Sequence, residues 1–360
     1  MSTAGGEDRE EIGGDLGERF RRLIRAHGPM PVARYMGESN ALYYAARDPL
    51  GAEGDFTTAP EISQMFGEMV GLWLADIWVR AGTPAGAIYV ELGPGRGTLA
   101  RDALRAMASV GLRPEVHLVE GSPALRKVQS GALAGAVFHD SLDTLPQGRP
   151  LLLAANEFLD ALPVRQLVRT ANGWRERLVA LDTDDGFVFA AGPSPMDDAV
   201  PPAFAAKPEG TVIETCPAAA ALVEDIARRI DIEGGAALFV DYGYLTPRTG
   251  STLQAVRAHQ KLDVFAAPGE ADLTAHVDFA TLDAIARREG VAVLEATQGA
   301  FLSAMGITQR SDALAARYPD RADEVAAARD RLIAPDAMGE LFKVMALSAR
   351  DWPRGAGFAG

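Results

Sequence analysis

The chain carries a single cysteine, Cys216, in 360 residues. One thiol cannot build an internal disulfide framework or a cysteine-rich metal site, and it fits a reducing compartment; no metal is expected. Basic charge is also scarce: Lys and Arg number 35 against 49 Asp and Glu, a formal net charge of -14. Phosphate contacts need a basic surface, so this balance argues against a nucleic-acid partner and favours cationic ones. Long apolar runs are missing too. LLLAAN (151–156) and AALFVDYGY (236–244) are strand-sized, far short of a membrane span. The opening MSTAGGEDREEIGGDLGERF has acid and glycine where a secretory signal has an apolar core and a transit peptide has arginine, so neither is expected. Residues 1–14 read as a disordered tail. No internal repeat of roughly 20 to 50 residues is present. Few lysines among many alanines and arginines point to a bacterial source of high GC content, and hence to a bacterial cytoplasm.

What is present is apolar residue enough, 48%, for a substantial core. Residues 15–84 read as an N-terminal helical cap. Phe20, Leu23 and Ile24 precede a Gly28-Pro29 break, and Val32, Tyr35 and Met36 follow it. In GDFTTAPEISQMFGEMVGLWLADIW (54–78), Ile62, Met65, Phe66, Met69, Val70, Trp73 and Ile77 recur at helical spacing. A helix is therefore expected from Ala59 or Pro60, with Thr58 and Glu61 as a capping box, a cofactor contact being the second reading of Glu61. Phe66, Trp73 and Trp78 read as core rather than as a binding cage.

An alternation then sets the fold. Apolar runs at 87–92, 116–120, 137–138, 151–156 and 236–242 are separated by helical patterns, which predicts a parallel sheet. The β-rich stretch 165–215, with hairpin signals at Asn172-Gly173 and Asp184-Asp185-Gly186, reads as one insertion, and 245–277 as a second. The core is expected over 85–348, closed by VAVLEA and FKVMALS, with 349–360 as a C-terminal tail.

VELGPGRGTL (90–99) places three glycines at alternate positions between a strand and a helix. That is the generic nucleotide-binding turn, in which glycine lets backbone approach the ligand. The spacing is GxGxG rather than GxGxxG, and Glu91 precedes the first glycine. A carboxylate there repels a pyrophosphate and attracts a cation. Glu120, ending the second strand, suits both ribose hydroxyls of an adenosine group, without separating NAD from S-adenosylmethionine. Asp140 and Ser141, after the third strand, could reach an adenine amino group, and solvated strand ends are the alternative for Glu120 and Asp140.

The blocks GDFTTAPEISQMFGE (54–68), VELGPGRGTLARD (90–102), HLVEGSP (117–123), NEFLDALPV (156–164), VDYGY (240–244), APGEADLTAHVDF (267–279) and MGELFKVMAL (338–347) together resemble the MidA family. This is the family of the mitochondrial complex I assembly factor regarded as a protein arginine methyltransferase. The resemblance spans about residues 15–348 in order. It implies a class I methyltransferase fold, Rossmann-like, with a central seven-stranded, mostly parallel sheet. It also implies S-adenosyl-L-methionine as cofactor and N-methylation of arginine on a partner protein, a subunit of the respiratory NADH dehydrogenase. The cofactor residues would then be Glu91, Gly93, Gly95, Gly97, Glu120, Asp140, Ser141 and Asn156. Thr58 and Pro60 join them through the resemblance alone. The family usually has serine where Ala59 stands, so a hydroxyl contact is lost there, and its animal members differ at His276.

For the acceptor, Glu157 and Asp160 lie three residues apart and would share a face in a helical turn. Two carboxylates can clamp a guanidinium bidentately and leave one nitrogen aimed at the methyl. The alternative has Asp160 capping the following turn. Asn156-Glu157 lacks the prolines and aromatic of the base-methylating motif. His259 and His276, in the second insertion, are candidates for touching the substrate. Methylation of a small-molecule oxygen or nitrogen, a cofactor-binding assembly chaperone, and an NAD-linked dehydrogenase are the competing readings, and a homodimer is left open.

Overall fold

The computed structural model describes residues 16–46 and 57–358, so the expected tail at 1–14 lies outside the described residues. Two compact units divide the chain. One takes its residues from within 1–47, 161–217 and 248–275, the other from 48–160, 218–247 and 276–360. The N-terminal helices and most of both insertions therefore share one unit. The expected cap at 15–84 is split, because the helix Gln64–Arg80 belongs with the sheet.

In the larger unit, β1 (Ile88–Leu92), β2 (Glu115–Val119), β3 (Val137–His139), β4 (Leu151–Asn156), β5 (Gly235–Tyr244), β6 (Ala292–Thr297) and β7 (Phe342–Ser348) form one sheet in the order β6-β7-β5-β4-β1-β2-β3. The pairs β3/β2, β2/β1, β1/β4 and β4/β5 are parallel, and β7 runs antiparallel to both neighbours. The seven expected strands are all present, and a two-residue strand, Val277–Asp278, adds to β5. Every residue of β1 is buried, as a parallel strand covered on both faces requires.

Helix placement follows from small residues and caps. Gly67 and Gly71 sit one turn apart on Gln64–Arg80. A Cβ at Gly71 would lie 2.3 Å from the Ala103 carbonyl oxygen, and one at Gly67 would lie 2.8 Å from Asp102 Cβ. Glycine thus lets this helix press against Thr98–Ala108, the helix that leaves the glycine bend. Glu68 locks the contact: Arg310 reaches it through Nε and an NH2 nitrogen at 2.7 and 2.8 Å, and Arg105 at 3.0 Å. Desolvation pushes the Glu68 carboxyl up, and the hydrogen bonds and charges of the two guanidiniums outweigh it together, so the group is held below its usual range. Phe66 and Trp73 are fully buried here, and Trp78 packs partly buried against the same core, donating to Pro84 O at 3.0 Å.

The expected helix from Ala59 is interrupted. A four-residue helix, Ala59–Ile62, ends at Ser63, whose hydroxyl caps Gln64–Arg80 by accepting from Met65 N–H at 3.2 Å. The capping box does not form. Thr58 makes no side-chain cap, and Glu61 instead accepts from the Thr98 hydroxyl at 2.6 Å. The expected tail at 349–358 is docked: Trp73 donates to Ala356 O at 3.0 Å and Phe358 packs on Phe301.

The second unit is antiparallel. Arg165–Thr170, Gly173–Leu181, Phe187–Pro195 and Val212–Thr215 form a sheet joined at its edge by Met30–Pro31, with Met30 opposite Val179 and Pro31 opposite Leu178. Both expected hairpin turns occur, with positive φ at Gly173 and Asp185. Gln254–Arg257, Gln260–Leu262 and Asp272–Thr274 make a smaller sheet. Buried Tyr35 anchors this core against Phe20, Phe187 and Phe265, and Asn40 exchanges hydrogen bonds with the Leu273 backbone at 2.7 and 3.0 Å.

Candidate functional site

The C-terminal ends of β1, β2, β4 and β5 collect most of the predicted residues within the larger unit. This is the edge at which open parallel sheets bind ligands. After β1 the chain turns through Gly93, Gly95 and Gly97 with φ of 58, 54 and 79°. These are left-handed values that favour glycine. At Gly93 a side chain is also excluded sterically, because a Cβ would lie 2.7 Å from Phe158 Cδ2. Gly93 N–H donates to Val119 O at 3.0 Å, which ties the bend to β2.

Glu91 is 2% exposed, and its partner is the Tyr89 hydroxyl on the same face of β1. Desolvation pushes its carboxyl up to about 8, against the Tyr89 hydrogen bond that pulls it down. A carboxyl so poorly solvated is stabilised as an anion by a nearby cation, which agrees with the choice of a cationic ligand over a phosphate.

Glu120, at the end of β2, accepts from Ser122 N–H at 2.8 Å and from Gln129 Nε2 at 3.1 Å. The same Nε2 donates to Gly95 O at 2.7 Å. Gln129 therefore clips the glycine bend to the ribose-binding candidate, a role its place in the expected helix did not announce. Asp140 is turned outward and paired with Arg126, whose guanidinium also donates to the carbonyls of Glu120 and His139. Ser141 is half-buried, its hydroxyl directed to Asp143.

The acceptor candidates do not form a helical face. Glu157 has φ of 49°, a left-handed residue that opens a turn, so the three-residue spacing to Asp160 acts through that turn. What shapes the turn is Asp241 on β5, 1% exposed. Its Oδ2 accepts from three successive amides, Phe158 at 3.1 Å, Leu159 at 2.9 Å and Asp160 at 3.2 Å. Its Oδ1 accepts from Tyr242 N–H at 3.0 Å. Asp241 is the functional candidate that the sequence reading passed over, although VDYGY was one of its blocks.

Glu157 Oε1 accepts from Ala59 N–H at 3.0 Å and from Asn156 Nδ2 at 3.1 Å. The Ala59 contact is to backbone, so alanine in place of the family's serine leaves it intact. Thr58 and buried Pro60 flank that amide. Desolvation first, and then the charge of Asp160, push the Glu157 carboxyl up to about 7, against the two donors and the charge of Arg331. Asp241 is pushed well above the usual range by burial and by Asp160 and Glu157. Three carboxyl groups crowded in a desolvated corner repel one another, and a planar cation relieves that repulsion.

His276 belongs to the same unit and stacks edge-on against Tyr242, ring centroids 5.4 Å apart. His259 belongs to the other unit, exposed at the tip of the Gln254–Leu262 hairpin. It and Ala258 take φ of 61 and 49° to close a two-residue turn. The structure thus gives His259 a local backbone role.

The fit of an adenosyl cofactor can be tested on polar atoms. Gln129 Oε1 and Asn156 Oδ1 are buried without a hydrogen-bond partner, one beside the glycine bend and Glu120, the other at the end of β4. Buried acceptors left in this state near the strand ends fit a ligand that brings donors. No group of His, Cys, Asp and Glu suited to a metal occurs among the described residues.

Comparison with known proteins identifies the family and its cofactor. A family model described as "Putative S-adenosyl-L-methionine-dependent methyltransferase" matches residues 69–297. Protein arginine methyltransferase NDUFAF7, mitochondrial, of Danio rerio is 38% identical over 357 residues, covering 89% of this chain and 83% of the relative. The Homo sapiens protein of the same name is 36% identical over 364 residues, covering 90% and 81%. A Burkholderia thailandensis protein solved with S-adenosyl-homocysteine bound has 28% identity and a TM-score of 0.83, covering 99% of this chain and 97% of the other.

Proposed function

The chain belongs to this family of S-adenosyl-L-methionine-dependent methyltransferases, and from that premise we propose that it methylates a guanidinium nitrogen of an arginine on a partner protein. The observation that carries the acceptor class is the carboxyl trio of half-buried Glu157 and buried Asp160 on one turn beside the glycine bend, with buried Asp241 of β5 anchoring that turn. When bound, the cofactor supplies a methyl on a positively charged sulfur, transferred in line to a nucleophile. Gly93, Gly95 and Gly97 admit it, Glu91 offers the sulfonium a negative charge, and Glu120 takes the ribose hydroxyls. Asp140 and Ser141 lie toward the adenine, and Asn156, Thr58 and Pro60 border the methionine end.

Glu157 and Asp160 hold the guanidinium. Both donors to Glu157 bind Oε1, which leaves Oε2 for the acceptor. A carboxylate whose proton affinity is raised to about 7 is matched to taking the proton that an arginine nitrogen sheds as it gains a methyl. His276, beside Tyr242, is assigned to the partner's flank. The names of the relatives, together with the family resemblance, support a protein acceptor, for which we take a subunit of the respiratory NADH dehydrogenase in a bacterial cytoplasm. No helix among the described residues is long and apolar enough to cross a membrane.

The test uses protein extract from a strain deleted for this gene, incubated with the purified enzyme and radioactive cofactor. The expected result is label on protein, located by mass spectrometry as methylarginine. Glu157→Gln should lower incorporation by on the order of 100-fold while S-adenosyl-homocysteine affinity stays within about twofold. Label confined to the small-molecule fraction would overturn the proposal.

A further inference from the structure

We propose that Asp241 is a positioning residue for methyl transfer: it builds the acceptor turn with its oxygens and gives that turn a carboxyl that ionises as a cationic acceptor enters. The inference rests on the reading that Glu157 and Asp160 face the acceptor.

Geometry is the first support. Three consecutive amides converge on one oxygen only if the chain curls around it, and the curl starts at Glu157, a non-glycine residue with φ of 49°. Such a conformation persists where its surroundings over-determine it. Here they do: Asp241 draws in the amides of 158–160, Ala59 N–H and Asn156 Nδ2 fix Glu157 Oε1, and Phe158 fills the space that Gly93 leaves empty. Glu157 N–H also donates to Val240 O at 2.9 Å, so β5 grips the turn at both its start and its middle.

Charge is the second support. An anchor needed only for shape would be cheaper as a neutral oxygen. A carboxyl placed in a dry corner beside two further acids is opposed in its ionisation by both desolvation and repulsion, a penalty that a neutral side chain does not carry. The unfavourable arrangement is explained if the negative potential itself is used, when a cation enters. Asp241 has its oxygens on backbone amides and does not need to touch the substrate.

Two substitutions separate shape from charge. In Asp241→Asn one oxygen can still receive the three amides, although the NH2 group then faces Tyr242 N–H. In Asp241→Ala both oxygens are gone. Hydrogen exchange of the 157–161 segment reads the turn without any turnover. Protection should be lost by on the order of 100-fold in Asp241→Ala and largely kept in Asp241→Asn. S-adenosyl-homocysteine affinity, by calorimetry, should stay within about threefold in both. With extract from the deletion strain as acceptor, Asp241→Asn should raise the half-saturating amount of protein by about tenfold and lower kcat less. Asp241→Ala should lower kcat by on the order of 100-fold.

If the folded fraction of Asp241→Asn works with unchanged kcat and half-saturation, the charge has no role and the proposal falls. It falls equally if losses follow cofactor affinity alone. Glu157→Gln, run alongside, tells the two layers apart: normal turnover in that variant overturns the reading of the acceptor turn and this inference with it. Loss there with an inert Asp241 overturns this inference only.

Discussion

Gln129 and Glu120 share a hydrogen bond of 3.1 Å, and the same amide nitrogen of Gln129 holds the Gly95 carbonyl at 2.7 Å. One wholly buried side chain thereby sets the spacing between the backbone of the bend and the carboxylate after β2. A hydrogen bond to a charged group contributes about 1.5–3 kcal/mol. Gln129→Leu is therefore expected to weaken S-adenosylmethionine and S-adenosyl-homocysteine alike, by about tenfold or more in calorimetry, with kcat at saturation little changed. Weakening of only one of the two would contradict a role at their common adenosyl end.

The raised carboxyls give a pH dependence with a definite sign. Glu91 rises to about 8 and Glu157 to about 7, in both cases from desolvation first. Between roughly pH 4.5 and 8 the folded chain binds more protons at these sites than the unfolded chain does, so stability falls as pH rises through that window and levels off above it. The cofactor-free Tm is expected to drop by several degrees between pH 5.5 and 8.5. Glu91→Gln should flatten much of the drop, and Glu295, half-buried and also raised to about 7, accounts for part of what remains. A cation bound near Glu91 favours its ionised form, so S-adenosylmethionine should protect more strongly toward high pH. Scanning calorimetry with and without the cofactor reads both effects, and a Tm that climbs across this range would refute the assignment.

At Gly71 the close approach of two helices has a testable cost. A Cβ there would meet Ala103 backbone at 2.3 to 2.8 Å, which no rotamer change relieves. Gly71→Ala is expected to destabilise by about 1–3 kcal/mol. Because Thr98–Ala108 carries the end of the glycine bend, cofactor affinity should fall with it. Urea unfolding measures the first quantity, and an unchanged midpoint would show that the helices can slide apart freely.

Much of the larger unit was legible because its signals are local. Ile88–Leu92 and Leu151–Asn156 are runs of apolar residues, and Gly93, Gly95 and Gly97 take the positive φ that their spacing announced. The errors came from partners distant in sequence. Glu61 fitted a capping box by spacing, but Thr98, 37 residues away, offers it a hydroxyl, while Ser63 caps the longer helix. Asp241 escaped notice because the three turn amides that bind its Oδ2 lie 81 to 83 residues upstream, and no local pattern distinguishes an anchor from any acidic strand end. Glu157 was placed on a helix because nothing in NEFLD marks a left-handed non-glycine residue. The split of 15–84 was likewise invisible, since it depends on which sheet each helix covers.

The antiparallel unit is stitched from chain that is far apart. Met30 pairs with Val179, and Asn40 exchanges two hydrogen bonds with Leu273, 233 residues later. During synthesis at about 5–20 residues per second, the first helices wait on the order of 10 to 50 s for that partner. Phe20, Tyr35 and Met36, all fully shielded in the finished molecule, stay uncovered for that interval. The ribosome therefore releases an unfinished hydrophobic surface early, and nascent chains of this protein should engage holding chaperones until residue 275 has emerged.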